Sequence, residues 1–263
     1  MRITYLMLTS IVLWACSGCS NLRKSFNIFP VSQDVALGFQ VSQNIDSQYN
    51  DKLLDSARHV ELYRYIYSVR DSILQNNTLK HKKDFPWRVR IINDPTLNAF
   101  CTPGGYIYFY TGILRFLKSE DELAGVMGHE MAHAEMRHST DALTRQYSSS
   151  LLVSLLVSPQ YQELANVAAS LTHLKYGRSD ESESDEYSVR WLYNTSYNPT
   201  GASGFFERIN TENTGIQTPE FLSTHPNPGK RVEKMNHLWK ELGGKEGQTY
   251  QVRYQRMLRL LPK

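Results

Sequence analysis

The chain has 263 residues, enough for one substantial domain or at most two small ones. Its hydrophobic content of 41% and charged content of 21% lie close to the globular norm. A net charge of +3 with both signs interspersed excludes the clustered Lys and Arg stripe of a nucleic-acid binder.

In chain order, Met1-Arg2 forms a short positive start, and residues 3–15 are mostly apolar. That run is too short to span a bilayer about 30 Å thick and has the form of a signal-peptide core. It ends in Leu13-Trp14-Ala15-Cys16-Ser17-Gly18-Cys19, where a small residue before a cysteine has the pattern of a bacterial lipobox. Leu13 at −3 and Ala15 at −1 favour Cys16 as the lipidated residue, with Cys19 the alternative after Ser17-Gly18. Serine follows either cysteine (Ser17 or Ser20), which points to an outer-membrane destination. With both assigned to residues 1–19, Cys101 is left alone, so no internal disulfide is expected. Residues 20–33 read as a tether, and residues 34–263 as the folded domain.

From Asp34 to about Asn77 the pattern is helical, with Val60, Tyr63, Ile66, Tyr67, Ile73 and Leu74 at three- and four-residue steps. Lys80-His81-Lys82-Lys83-Asp84 reads as a solvated charged turn. Trp87-Arg88-Val89-Arg90-Ile91-Ile92 alternates as a strand, is stopped by Asn93-Asp94-Pro95, and is extended by Asn98-Ala99-Phe100-Cys101. Pro103-Gly104-Gly105 is a turn, followed by the strand Tyr106-Ile107-Tyr108-Phe109-Tyr110. That strand is either a sheet edge to which an extended peptide adds or an interior strand. The rest is mainly helical, and the apolar run 151–157 is too short to cross a membrane. The fold class expected is a mostly helical α+β domain with a small sheet preceding the active helix.

Ser119-Glu120-Asp121-Glu122 predicts a capped helix start, with Ser119 on free backbone N–H groups and Glu122 reaching back. The helix then carries His129-Glu130-Met131-Ala132-His133. Residues i and i+4 stack on one face, so both imidazoles reach one ion at about 2.0–2.1 Å. Glu130 is rotated about 100° from His129 and sits beside the ion. A carboxylate there takes a proton from the attacking water and hands it to the leaving amine, while zinc polarises the scissile carbonyl. A random chain carrying eight histidines shows this motif about once in a hundred. Gly128 leaves room beside His129.

Catalytic zinc takes three protein ligands and keeps a fourth place for water. The metzincin pattern is excluded because Met136 and Ser139 stand where it needs Gly and His. His138 lies one place off and reads as a surface residue. The third ligand is then sought in Arg178-Ser179-Asp180-Glu181-Ser182-Glu183-Ser184-Asp185-Glu186. Glu181 and Asp185 share a helical face, one to bind the ion and the other to accept an N–H from a ligating histidine. Spacing alone does not choose between Glu181 and Glu183.

The sequence resembles the HtpX-type zinc metallopeptidases, specifically their soluble, lipid-anchored periplasmic branch, over roughly residues 34–239. The resemblance is carried by Asn98-Ala99-Phe100 with Pro103-Gly104-Gly105, and by His129-Glu130-x-x-His133. It continues in Arg178-x-x-Glu181-x-Glu183-x-Asp185 and in His225-Pro226 followed by Arg231. Gly177 and Ser184 stand where that family usually has Ser and Ala. The resemblance implies a zincin-like (gluzincin) fold and one zinc ion per chain. It implies Glu181 as third ligand, Asp185 as its neighbour hydrogen-bonded to a ligating His, and His225 as a donor to the tetrahedral oxyanion. Arg231 is expected to hold local structure. The implied activity is hydrolysis of internal peptide bonds in misfolded or stalled envelope polypeptides, including outer-membrane proteins, from a lipid anchor on the periplasmic side of the outer membrane. Outer-membrane assembly machinery is then a partner. The rival readings are a zinc-containing lipoprotein acting as a chaperone for outer-membrane proteins, and a structural zinc site with four protein ligands.

Overall fold

A computed structural model describes residues 27–146, 170–171, 174–211, 220–225 and 228–263. Cys16, Cys19, the leader and the apolar run 151–157 lie outside the described residues. The first helical stretch is two helices, α1 (Val31–Gln48) and α2 (Val60–Asn76). The connection between them lies along the outer edge of the first strand, where the Leu54 amide donates to the Ile91 carbonyl at 2.9 Å.

The strands are β1 (Arg88–Ile92), β2 (Ala99–Thr102) and β3 (Tyr106–Tyr110), in the spatial order β1-β3-β2. Residues 99–102 thus do not extend β1 but turn back antiparallel to β3, with Phe100 opposite Tyr108. β3 runs parallel to β1, pairing Val89 with Ile107 and Ile91 with Phe109. β3 is therefore the interior strand, and reading it as a peptide-accepting edge is ruled out by these two partners. Its composition suits that place: Ile107 and Phe109 face one core with Val89 and Ile91, while Tyr106, Tyr108 and Tyr110 face a second with Leu37, Val41 and Ile45 of α1. Gly104 and Gly105, with φ of +73° and +78°, make the turn between β2 and β3.

After α3 (Thr111–Phe116) comes α4 (Glu120–Glu135), buried along its whole length. Its small residues explain how a central helix fits between so many neighbours. A Cβ on Gly125 would stand 2.4 Å from the Ala202 nitrogen of α7 (Gly201–Thr211), and one on Gly128 would stand 3.1 Å from Ser188 Oγ of α6 (Arg178–Tyr193). The space at Gly128 thus admits α6. The helix start differs from the expected capping box. Ser119 makes no side-chain cap, and Glu122 Oε2 accepts from the Lys118 amide at 2.8 Å and pairs with Arg208. The free amides of Glu120 and Asp121 donate instead to the Thr249 carbonyl, at 3.0 and 3.3 Å. A partner more than a hundred residues away has taken the place of a local cap.

Arg137, in the left-handed region at φ 63°, ends α4 and starts α5 (His138–Gln146) in a new direction. Its guanidinium is held by buried Asp34 of α1. The charged turn at residues 80–84 is not merely solvated, because His81 is buried and both it and Lys80 donate backbone N–H groups to Glu135. The short helix α8 (Glu220–Thr224), then α9 (Pro228–Glu241) and α10 (Gln251–Leu258), complete the described chain. No helix among the described residues is long and apolar enough to cross a membrane.

Candidate metal centre

α4 and α6 pack side by side, joined by Ser188 Oγ donating to the Gly125 carbonyl at 2.8 Å. α6 starts where Asp180 Oδ2 accepts the Gly177 amide at 3.1 Å, which sets its first turn against the histidines of α4. His129, His133, Glu181 and His225 are all buried, and each offers one ligand atom so that all lie within 4.8 Å of one another. His129 Nε2 is 3.0 Å from His133 Nε2 and 3.2 Å from His225 Nδ1. Glu181 Oε1 is 3.0 Å from His225 Nδ1 and 3.4 Å from His133 Nε2.

These spacings test whether zinc fits. Four donors at about 2.0–2.1 Å from a tetrahedral centre stand about 3.3–3.4 Å apart along each edge. These four separations, 3.0–3.4 Å, lie at or a little below that length, and the donors are two or three imidazole nitrogens with one carboxylate, a set that suits zinc. Burial holds His133 and His129 below the usual histidine range, so their rings are neutral and carry a free lone pair. Burial works against ionised Glu181, but His225, His133 and Arg231 outweigh it and keep the carboxyl well below its ordinary value.

Glu130 lies beside the cluster without joining it. Both its oxygens are buried and lack a hydrogen-bond partner, and Oε1 is 3.5 Å from His225 Nε2, which also lacks one. Burial pushes the Glu130 carboxyl up to about 7, against the pull of His225. Three buried polar atoms left open in one place mark a site built for something besides its own stability.

Around the donors, Asp185 accepts from His129 Nδ1 at 3.0 Å and grips Arg231 through both oxygens at 2.7 Å. Arg231 Nη1 is also 2.6 Å from Glu181 Oε2. Arg231 is buried, so beyond holding local structure it ties its own helix, Pro228–Glu241, to Glu181 and Asp185 of α6. Tyr176 stacks on the His133 ring with centroids 3.8 Å apart, and Phe221 stacks on His225 at 4.4 Å.

Four placements differ from the sequence expectation or go beyond it. His138 is buried rather than on the surface, with its Nδ1 2.9 Å from His133 Nδ1. The turn at Arg137 folds it back under the motif, which a continuous helix would not do. Glu183 is outside the donor cluster and pairs with His138 Nε2 at 3.1 Å. His225, expected as an oxyanion donor, has its Nδ1 among the cluster atoms themselves. Tyr176 carried no signal in the sequence, since an aromatic before a helix has many ordinary uses.

A buried His-Glu-x-x-His helix, a carboxylate from a later helix and a small sheet before them define a zincin-like metallopeptidase. Residues 62–238 match the model of Peptidase family M48, and the chain belongs to that family. It is thus a metallopeptidase, with zinc as its cofactor. Its relatives include the mitochondrial metalloendopeptidase OMA1 of Schizosaccharomyces pombe, 28% identical over 222 residues, or 81% of this chain and 63% of the relative. The OMA1 of Arabidopsis thaliana is 34% identical over 57% of this chain and 31% of its own length. The beta-barrel assembly-enhancing protease of Escherichia coli K12 is 28% identical over 56% of this chain and 33% of its own length. The chain therefore spans less than two thirds of each of these relatives.

Proposed function

We propose that this metallopeptidase cleaves internal peptide bonds of misfolded or stalled envelope proteins, outer-membrane proteins among them, from a lipid anchor at Cys16 or Cys19 on the periplasmic side of the outer membrane. The leader pattern supports the address, and a relative named as a beta-barrel assembly-enhancing protease supports the substrate class.

In this reading His129, His133 and Glu181 hold the zinc ion, and Asp185 fixes the His129 ring through its Nδ1 proton. When bound, zinc acidifies the attacking water and polarises the scissile carbonyl. Glu130 takes the proton from that water and delivers it to the leaving amine. A carboxyl near neutrality is matched to both halves of the task. His225, whose Nδ1 lies among the cluster atoms, would complete the donor set around a bound ion, and its ring would then move aside for hydrolysis. Once out, an imidazole N–H beside Glu130 serves as the oxyanion donor expected from the sequence.

The observation that carries the catalytic reading is the orphaned Glu130 carboxylate. A structural zinc site has no use for a buried acid next to its ligands whose oxygens make no hydrogen bond, and desolvating one is costly. Glu130→Gln should leave zinc bound while lowering casein cleavage by roughly 10²–10⁴-fold. Casein digestion at the wild-type rate by that variant ends the proposal. Rescue of an outer-membrane client that survives the substitution supports the chaperone reading instead.

A further inference from the structure

We propose that His138 and Glu183 form a hydrogen-bonded relay that orients and polarises the zinc-binding ring of His133, as Asp185 does for His129. The inference rests on the metal reading above and assigns two residues that reading leaves unused.

The proton positions follow from geometry. For His133 Nε2 to present its lone pair to the ion, the ring proton must sit on Nδ1. That Nδ1 is 2.9 Å from His138 Nδ1, a hydrogen-bond distance between two nitrogens. One must donate and the other accept, so His138 Nδ1 is bare and its proton is on Nε2. His138 Nε2 in turn lies 3.1 Å from Glu183 Oε2, an acceptor. Every member donates in one direction, from ligand to carboxylate: His133 Nδ1–H to His138, then His138 Nε2–H to Glu183. Ser184 Oγ, 3.3 Å from His138 Nδ1, can donate to the same lone pair and favours the same tautomer.

The ends of the relay differ in setting. His133 and His138 are fully enclosed, whereas the Glu183 side chain is 49% exposed. The carboxylate thus stays solvated while its partner is buried, which avoids the cost of one more desolvated acid beside Glu130, Glu181 and Asp185. Tyr176 against the face of His133 and the relay at its edge together leave that ring one orientation. A charged outer partner raises the basicity of a ligating imidazole and fixes its tautomer, and losing one typically weakens metal binding 10–100-fold.

The test uses the full-length protein, with zinc affinity measured by competition against a fluorescent chelator and melting of the metal-free protein measured alongside. His138→Leu should weaken zinc binding about 10–100-fold. His138→Asn, which keeps an acceptor where Nδ1 stood, should recover most of that loss, as a merely space-filling role would not predict. Glu183→Ala, at a half-exposed position, should weaken zinc about three- to tenfold with only a small change in metal-free melting. In the zinc-loaded wild type, long-range proton–nitrogen spectra should show His133 protonated at Nδ1 and His138 at Nε2. Zinc affinity unchanged in Glu183→Ala, or a proton found on His138 Nδ1, overturns the relay. Failure of the wild type to bind zinc at all overturns the metal reading instead.

Discussion

Asp185→Asn removes a charge without changing shape, at the point where the metal ligands meet the rest of the protein. Asp185 holds Arg231 through two contacts of 2.7 Å and accepts from His129 at 3.0 Å, and both partners are buried. Stripping one partner from a buried ion pair costs about 3–5 kcal/mol, because the remaining charge stays desolvated. Arg231 keeps Glu181 at 2.6 Å, so the lower end, about 3 kcal/mol, is expected here. For a protein of this size that is a fall in Tm of about 6–12 °C in the metal-free state. Zinc affinity should also drop about 10–100-fold, since Arg231 then pulls on Glu181 alone and His129 keeps at best a neutral amide acceptor in place of a carboxylate. The assays are thermal and urea melting of the chelator-treated protein and zinc competition. Melting of Asp185→Asn within about 2 °C of wild type would mean that Glu181 suffices to neutralise Arg231, and the reasoning above would be wrong.

Gly125→Ala should destabilise the protein by about 1–3 kcal/mol despite better helix propensity, because the new Cβ meets backbone atoms of Ala202 at 2.4 and 2.9 Å. Gly128→Ala should cost less, since its nearest neighbour is the rotatable Ser188 hydroxyl, and equal losses in thermal melts would contradict the packing account. His225→Ala should lower the number of imidazoles around bound zinc from three to two by X-ray absorption, and an unchanged count would remove His225 from the resting donor set.

Most of the strands and the active helix were legible because they rest on short-range rules. The aromatic run at Tyr106–Tyr110 made a strand, the two glycines with positive φ made its turn, and His129 and His133 stacked because four residues on a helix bring side chains to one face. What escaped was set by contacts distant in sequence. Whether β3 lay inside or at an edge depended on β1 and β2 both choosing it. The cap of α4 came from Thr249, and Ser119 gave no sign that a remote carbonyl would displace it. His138 looked like a surface residue because a continuous helix would carry it away from His133. One left-handed residue, Arg137, pinned by Asp34 from the first helix, reversed that.

The acidic run on α6 shows how helix geometry can separate residues that composition cannot. Glu181 and Asp185 are four apart and fall within about 40° of each other around the axis, so one enters the donor cluster and the other reaches a donor's far side. Glu183, two residues on, is turned about 200° from Glu181, so it cannot join the cluster however well its chemistry suits zinc. Rotation alone excludes it, which is the discrimination that spacing between segments could not supply. Yet the same rotation aims it at the flank where α5 passes, and there the buried ring of His138 bridges the gap back to His133. An acid on the wrong face of one helix thus gains contact with the metal ligands through a histidine on another, and this requires α5 to break from α4 where it does.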